Sequence, residues 1–339
     1  MKDSKVYIIA EVAQAHDGSL GILHSYIDAV ADTGADAIKF QMHIADAESS
    51  PFEPFRVAFS YQDHTRYDYW KRMEFTQEQW VGIKKHCEEV GLEFLVSPFS
   101  VAAVRMLESL GVKRYKIGSG EVRNYLMLEH IALTGKDILI STGMSGFTEI
   151  EQALAFLDEC KASQERVIFQ CTTAYPTPPE QIGLNVLPEL QNRFNLPIGL
   201  SDHSGTIFAP LAAVTLGAKY LECHVVFDKR MFGPDSPASL TFAEFKQMVE
   251  GVRFLERAHA NPVNKEDIQG FEVLKRMFGK SLAVSRTLKM GETLVLNDLE
   301  SKKPADRGIP AELFRQVINK RLKHSIDAGD FLQWGDLSE

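Results

Sequence analysis

Cysteine is scarce in this chain of 339 residues: Cys87, Cys160, Cys171 and Cys223 are its four, widely separated and without the paired spacing of zinc ribbons or thioredoxins. Neither a disulfide framework nor a cysteine-bound zinc is indicated, and reduced, structural thiols are expected. No run approaches the roughly 20 uncharged apolar residues needed to span a bilayer, because the apolar stretches are strand-length and broken by charges. The opening MKDSKVYIIA passes from a short polar start into an apolar strand with no hydrophobic signal region or small-residue cleavage site. A cytoplasmic protein, with no membrane partner, is the expectation. Basic residues are outnumbered, 37 Lys and Arg against 46 Asp and Glu, for a formal net charge of -9. With no basic block and no stripe of Arg and aromatics, the electrostatic footprint of a nucleic-acid binder is missing. An anionic ligand would need a locally positive pocket. Internal repeats and low-complexity tracts are also lacking.

What is present is alternation. Short β-branched apolar runs at 6–10, 37–41, 92–97, 114–118, 137–142, 167–172, 197–202 and 219–224 are separated by longer stretches of helical period. Segments such as GFTEIEQALAFLDEC, 146–160, repeat apolar residues three and four apart, as a helix with one buried stripe does. Eight such strands joined by long crossovers predict an α/β fold, a closed (β/α)8 TIM barrel, over residues 1–260. NPVNKEDIQG then breaks the pattern with Asn, Pro and Gly, which makes 261–278 a linker. From 279 to 339 the composition changes to short strands and turns, a small β-rich domain short for one that stands alone.

In such barrels the functional groups sit at the C-terminal ends of the strands. Polar residues fall there at almost every strand: Glu11 with His16 close behind, Lys39 and Gln41, Ser97, Lys116 with Ser119 and Glu121, Ser141, Thr173, Ser201 with His203, and Glu222 with His224. Residues two apart on a strand share a face, so Lys39 pairs with Gln41, Ser201 with His203, and Glu222 with His224. His203 and His224 end neighbouring strands and are placed to bind one divalent cation with positions left open, as a catalytic site requires. Lys39 and Lys116, ringed by the hydroxyls of Ser97, Ser119, Ser141 and Ser201, suggest a cradle for an anion carrying phosphate and carboxylate. The alternative is that either lysine forms a buried ion pair with Glu11 or Glu121. Phe99 and Tyr175 have rim packing as their plain alternative, and Asp235 a turn.

These residues fall in motifs, IIAE…H-x-G, AIKFQ, SPFS, YKIGSGE, STGM, CTTAYPTP, GLSDH, and E-x-H followed by GPD, whose order and spread over the whole chain resemble the sialic acid synthase family, the N-acetylneuraminate, legionaminic and pseudaminic acid synthases. The C-terminal segment around Lys302-Lys303-Pro304 is similar to that family's antifreeze-like (SAF) domain. The resemblance implies an enzyme that condenses phosphoenolpyruvate with an open-chain amino sugar of the N-acetylmannosamine type, giving a nine-carbon 2-keto acid and phosphate. It implies Glu11 as acid/base, and His203 and His224 on a divalent metal, manganese, with magnesium or cobalt as alternatives. Lys39, Gln41, Ser97, Lys116, Ser119, Ser141, Thr173 and Ser201 match phosphoenolpyruvate-binding positions, and Phe99, Glu121, Tyr175 and Asp235 positions lining the sugar. A domain-swapped homodimer is implied too, in which Lys303 or Arg307 of one chain reaches the sugar in its partner's barrel.

The chain also departs from that pattern. Ala15 stands where the family has Asn before the first His, Thr173 replaces the Asn of its CTN-x-YP motif, and Lys303 replaces the arginine of its K-R-P-G and Ala305 the glycine, with Arg307 nearby. The segment 42–73, rich in aromatics and charge, is unlike the commonest members and reads as a candidate substrate-specific lid. Two other readings stay open: the same chemistry on another aldose or aldose phosphate, and a sugar-binding homologue without turnover.

Overall fold

The computed structural model describes residues 5–57, 59–160 and 165–338, which fall in two compact units, Met1–Asn261 and Pro262–Glu339. In the first, eight parallel strands run in sequence order: β1 (Tyr7–Ala13), β2 (Ala37–Met42), β3 (Glu93–Pro98), β4 (Arg114–Ile117), β5 (Asp137–Ser141), β6 (Arg166–Cys171), β7 (Ile198–Asp202) and β8 (Tyr220–Val226). β1 also pairs with β8, which closes the barrel. The expected TIM barrel is therefore the fold, and a short extra strand, Leu240–Thr241, pairs alongside β8.

Strand alternation divides the barrel core in two. Ile8, Ala10, Ile38, Phe40, Val96, Ile117 and Ile140 point outward into a large cluster with the surrounding helices. Ile9, Ala37, Leu95, Leu139, Val167 and Phe169 point inward and fill the barrel with an apolar layer. Gly199 has to be glycine in that layer, since a Cβ there would stand 2.7 Å from the Phe169 ring and 2.8 Å from the Tyr220 carbonyl oxygen. Two residues further along each strand the inward face becomes polar: Ile9 gives way to Glu11, Ala37 to Lys39, Leu95 to Ser97, Leu139 to Ser141 and Phe169 to Cys171. The apolar layer is the floor on which the polar ends stand.

Segment 42–73, apart from Ala58, which lies outside the described residues, is ordered by its own side chains. Ala45, Tyr69, Trp70 and Met73 form a small core with Phe55, Phe59 and Tyr67. Helix Arg66–Met73 starts at a capping box between Thr65 and Asp68, and Arg72 ties it down through Asp17 and Asp63.

The second unit has a core of its own, including Leu282, Val284, Leu294, Ile309, Leu322 and Leu332, around antiparallel strands Ser281–Val284 and Leu299–Lys302. The stretch expected to be a plain linker carries a helix, Glu272–Phe278. All four cysteines are free, and among the described residues no helix is long and apolar enough to cross a membrane.

Candidate active site

At the C-terminal ends of the strands lies a cavity of about 370 Å³. Its lining brings together every expected barrel residue: Glu11, Lys39, Gln41, Ser97, Phe99, Lys116, Ser119, Glu121, Ser141, Thr173, Tyr175, Ser201, His203, His224 and Asp235. His16 is not among them. It is buried against Phe75, with ring centroids 5.0 Å apart, and accepts from the Gly18 amide at 3.1 Å. Burial holds its imidazole neutral, with a pKa lowered to about 3.

The two lysines sit at the bottom. Lys39 Nζ lies 3.0 Å from Glu11 Oε2 and 3.5 Å from Glu222 Oε1, and donates to Ser97 Oγ at 3.3 Å. Lys116 Nζ donates to Ser141 Oγ at 2.6 Å and to Glu222 Oε1 at 3.3 Å. Ser201 Oγ donates to the same Glu222 oxygen at 3.0 Å. The lysines thus line the cavity and form buried ion pairs at once, and the second partner is Glu222, not Glu121. Burial works against both ammonium groups. For Lys39 it is outweighed by Glu11 and Glu222, which raise its pKa, whereas Lys116 ends lowered, because burial and the charge of Lys39 outweigh the pull of Glu222 and the weaker ones of Cys171 and Glu11. Burial likewise acts to raise Glu222, but Lys116 and Lys39 together hold it below the usual carboxylate range. Next to this cluster Ser119 Oγ accepts from the Gly143 amide at 3.0 Å. A Cβ on Gly143 would meet Thr173 Oγ1 at 2.6 Å and Ser119 Oγ at 2.9 Å, so glycine is what lets these hydroxyls converge.

His203 and His224 stand with ring centroids 5.2 Å apart, Tyr175 stacked on the first at 4.1 Å and edge-on to the second at 5.9 Å. His203 Nδ1 lies 2.9 Å from the Thr172 carbonyl oxygen, which places the proton on Nδ1 and leaves the lone pair on Nε2. Burial, and the neighbouring His224, lower its pKa to about 3, so the ring stays neutral, as a ligand must be. Among the described residues no group of three or more His, Cys, Asp or Glu is arranged to hold a metal ion. Two imidazoles would therefore be the share of these side chains in any such site, with water or substrate oxygens completing it. Glu222 Oε2, buried without a hydrogen-bond partner, is a nearby orphan acceptor.

A model of the NeuB family matches residues 26–264, and a model of the SAF domain matches residues 279–338. The chain belongs to the NeuB family. It is 32% identical to N,N'-diacetyllegionaminic acid synthase of Campylobacter jejuni over 93% of this chain and 95% of that one. Identity to the human N-acetylneuraminate-9-phosphate synthase is also 32%, over 96% and 90%. Among solved structures, N-acetylneuraminic acid synthetase from Leptospira borgpetersenii, crystallised with citrate, superposes with a TM-score of 0.70 at 27% identity, covering 81% of this chain and 92% of that one. The resemblance drawn from the motifs agrees with these matches.

Within this NeuB-family barrel, segment 42–73 supplies His43, Glu48, Glu53, Arg56, Arg66, Tyr69 and Trp70 to the cavity wall. Arg56 lies over the Tyr175 ring at 4.3 Å and pairs with Asp235 Oδ1 at 2.6 Å. Arg66 lies over Trp70 at 4.3 Å and 3.5 Å from Glu53 Oε1. Glu121, which accepts from Asn124 Nδ2 at 2.7 Å, has its pKa raised by burial. Gln14 lines the cavity as well, beside Ala15. None of these loop residues, nor Gln14, was expected as a site residue. The T-x-x-D capping signal at Thr65 could have disclosed the helix, but nothing local marks which of its side chains turn inward. Lys303 and Arg307 belong to the second unit, where Lys303 Nζ lies 4.8 Å from the Phe278 ring centroid and the Arg307 amide donates to Ser281 Oγ at 3.2 Å.

Proposed function

We propose that this chain is a nonulosonic acid synthase that condenses phosphoenolpyruvate with an open-chain amino sugar of the N-acetylmannosamine type. Family membership and the activities after which its relatives are named support the reaction class. The observation that carries the reading is the cavity floor: two buried lysines among four serine hydroxyls, with Glu11 in reach of one lysine and two histidines alongside.

In this reading Lys39, Lys116 and the hydroxyls of Ser97, Ser119, Ser141 and Ser201 hold the phosphate and carboxylate, and Gln41 and Thr173 complete the contacts. His203 and His224 would hold a divalent metal, manganese first among the candidates, which supplies Lewis acidity toward the aldehyde oxygen and extra positive charge. That charge suits the floor, where two ammonium groups face the two carboxyl groups of Glu11 and Glu222 and leave little surplus for a polyanion. The π pair of the enol forms the new C–C bond with the aldehyde carbon, whose oxygen takes up a proton from solvent, and positive charge is left on the former enol C2. Water then adds to the former enol C2, giving its proton to Glu11. The hydroxyl proton passes to the leaving phosphate oxygen as the C2–O bond to phosphate breaks, which releases phosphate and leaves the 2-keto acid. Phe99, Tyr175, Glu121 and Asp235 orient the sugar.

A homodimer with composite sites belongs to the same proposal. Val263, Phe271, Val273, Met277 and Phe278 remain exposed in the second unit, an apolar surface that a two-fold partner would cover, and Lys303 and Arg307 would serve the partner's cavity. The test of function is phosphate release from phosphoenolpyruvate with manganese, first with N-acetylmannosamine, then with 2,4-diamino hexoses and aldose phosphates, the product being weighed by mass spectrometry. A nine-carbon 2-keto acid is expected. No consumption with any acceptor would refute the proposal, and turnover of aldose phosphates alone would replace the acceptor.

A further inference from the structure

Glu11 stands at one end of a row of five side chains. Its Oε1 accepts from Gln41 Nε2 at 2.8 Å. Gln41 Oε1 in turn accepts from Gln14 Nε2. The same Gln14 nitrogen lies 2.9 Å from His43 Nε2, and His43 Nδ1 lies 2.6 Å from Glu48 Oε1. Glu11, Gln14 and His43 are buried, and Gln41 and Glu48 half-buried. The His43 ring is clamped between Trp70 at 3.8 Å and Phe99 at 4.7 Å, both within 16° of parallel.

Donor and acceptor counting leaves one arrangement. An amide nitrogen carries two donors and no acceptor, so Gln14 donates both to Gln41 and to His43 Nε2. His43 Nε2 must then offer its lone pair, the ring proton sits on Nδ1, and Glu48 accepts it. Because the Gln41 oxygen is filled by Gln14, its NH2 group must face Glu11. Each contact runs from donor to acceptor, and turning either amide over sets oxygen against oxygen or N–H against N–H. Glu48 and the stacked ring thus fix, three side chains away, which group of Gln41 meets Glu11.

We propose that Gln14, His43 and Glu48 are positioning residues that act through Gln41 to hold the Glu11 carboxylate in its reacting orientation. The inference rests on Glu11 being the acid/base group of the proposed reaction. It also gives segment 42–73 a role in turnover, since His43 and Glu48 arrive with it.

Two variants of His43 separate this role from packing. His43→Gln keeps one acceptor and one donor but loses the aromatic sandwich, whereas His43→Phe keeps the sandwich and breaks the row. Positioning predicts that His43→Gln retains most of kcat. His43→Phe should lose kcat by up to about a hundredfold, the scale for a misplaced catalytic group, with both Michaelis constants within about threefold of wild type. Retention by Phe and loss by Gln, or retention by both, overturns the proposal. If both lose activity, Gln14→Met decides, measured in the wild type and in a Glu11→Ala chain, with thermal unfolding to verify folding. A group that works through Glu11 costs kcat in the first and nothing further in the second, and multiplied losses overturn the proposal. If Glu11→Ala itself leaves kcat unchanged, it is the acid/base reading that fails.

Discussion

Lys116→Met removes an ammonium group from the floor of the cavity while keeping a side chain of similar length. Two effects follow from the geometry. The phosphate or carboxylate of phosphoenolpyruvate loses a charge-assisted hydrogen bond, a loss of about 1.5–3 kcal/mol, or roughly 10- to 150-fold in affinity. The protein itself loses one of the two cations that keep Glu222 ionised, leaving only Lys39 at 3.5 Å. Breaking a buried pair on one side costs about 3–5 kcal/mol, and at roughly 2–4 °C per kcal/mol for a large domain unfolding should move down by about 6 °C or more. The double variant Lys116→Met, Glu222→Gln removes both charges, so it should recover much of that stability without recovering phosphoenolpyruvate binding. Calorimetric titration of phosphoenolpyruvate, separate Michaelis constants for both substrates and thermal unfolding measure the three quantities. Equal rises in both Michaelis constants would refute the assignment of Lys116 to the anion. Recovery of phosphoenolpyruvate affinity in the double variant would refute it as well, since Glu222 alone would then explain the loss.

His203→Ala and His224→Ala should each abolish turnover with unfolding little changed, and exhaustive chelation should do the same to the wild type; full activity of either variant after chelation would rule out the two-histidine site. The cavity wall carries Glu48, Glu53, Glu121 and Asp235 against Arg56 and Arg66, so a neutral acceptor should be preferred to its phosphate ester in kcat/KM, and the reverse order would contradict this charge count. His16, held neutral by burial with a pKa of about 3 against 6.5 when unfolded, binds a proton only in the unfolded chain across that window. Stability is therefore complete only well above pH 6.5 and falls as pH drops toward 3, by about 1.4 kcal/mol at pH 5.5 from this group, and chemical denaturation of His16→Asn between pH 7 and 5 should show a shallower decline. If the site is composite, mixing a Glu11→Ala chain with a chain truncated before Gly279 should restore part of the activity that each lacks alone. A monomer in sedimentation, or verified heterodimers without activity, would count against the shared site.

The strand ends were legible in the sequence because a parallel barrel imposes a simple rule. Alternation puts every second side chain inward, and the depth of the strand decides whether it meets the apolar floor or the cavity, so Ile9 and Glu11, or Leu95 and Ser97, separate by position alone. Distances across the barrel follow no such rule. Glu222 shares a face with His224 in the sequence pattern, but only closure brings it to both lysines. Glu121, which follows β4 in a 3-10 turn, instead accepts from Asn124.

The end of β1 shows how local geometry overrides the pattern. Strict alternation after Glu11 would send residues 13 and 15 inward and residue 14 out. The pairing of β1 with β2 shifts register between Glu11 and Ala13, and Ala13 takes a left-handed φ of 48°. A one-residue shift exchanges the faces, so Gln14 lines the cavity, whereas His16, beyond it, packs against Phe75. That shift is also what lets Gln14 reach both Gln41 and His43. The groups assigned to bond making thus stand on regular strands or within two residues of their ends, where sequence predicts them. Of the groups proposed to surround the acceptor and to brace Glu11, Gln14 comes from a bulge and His43, Glu48, Arg56 and Arg66 from segment 42–73, where position depends on packing. The same division explains why the motifs point to a reaction class and leave the sugar open, since the side chains that would choose it have no fixed period along the chain.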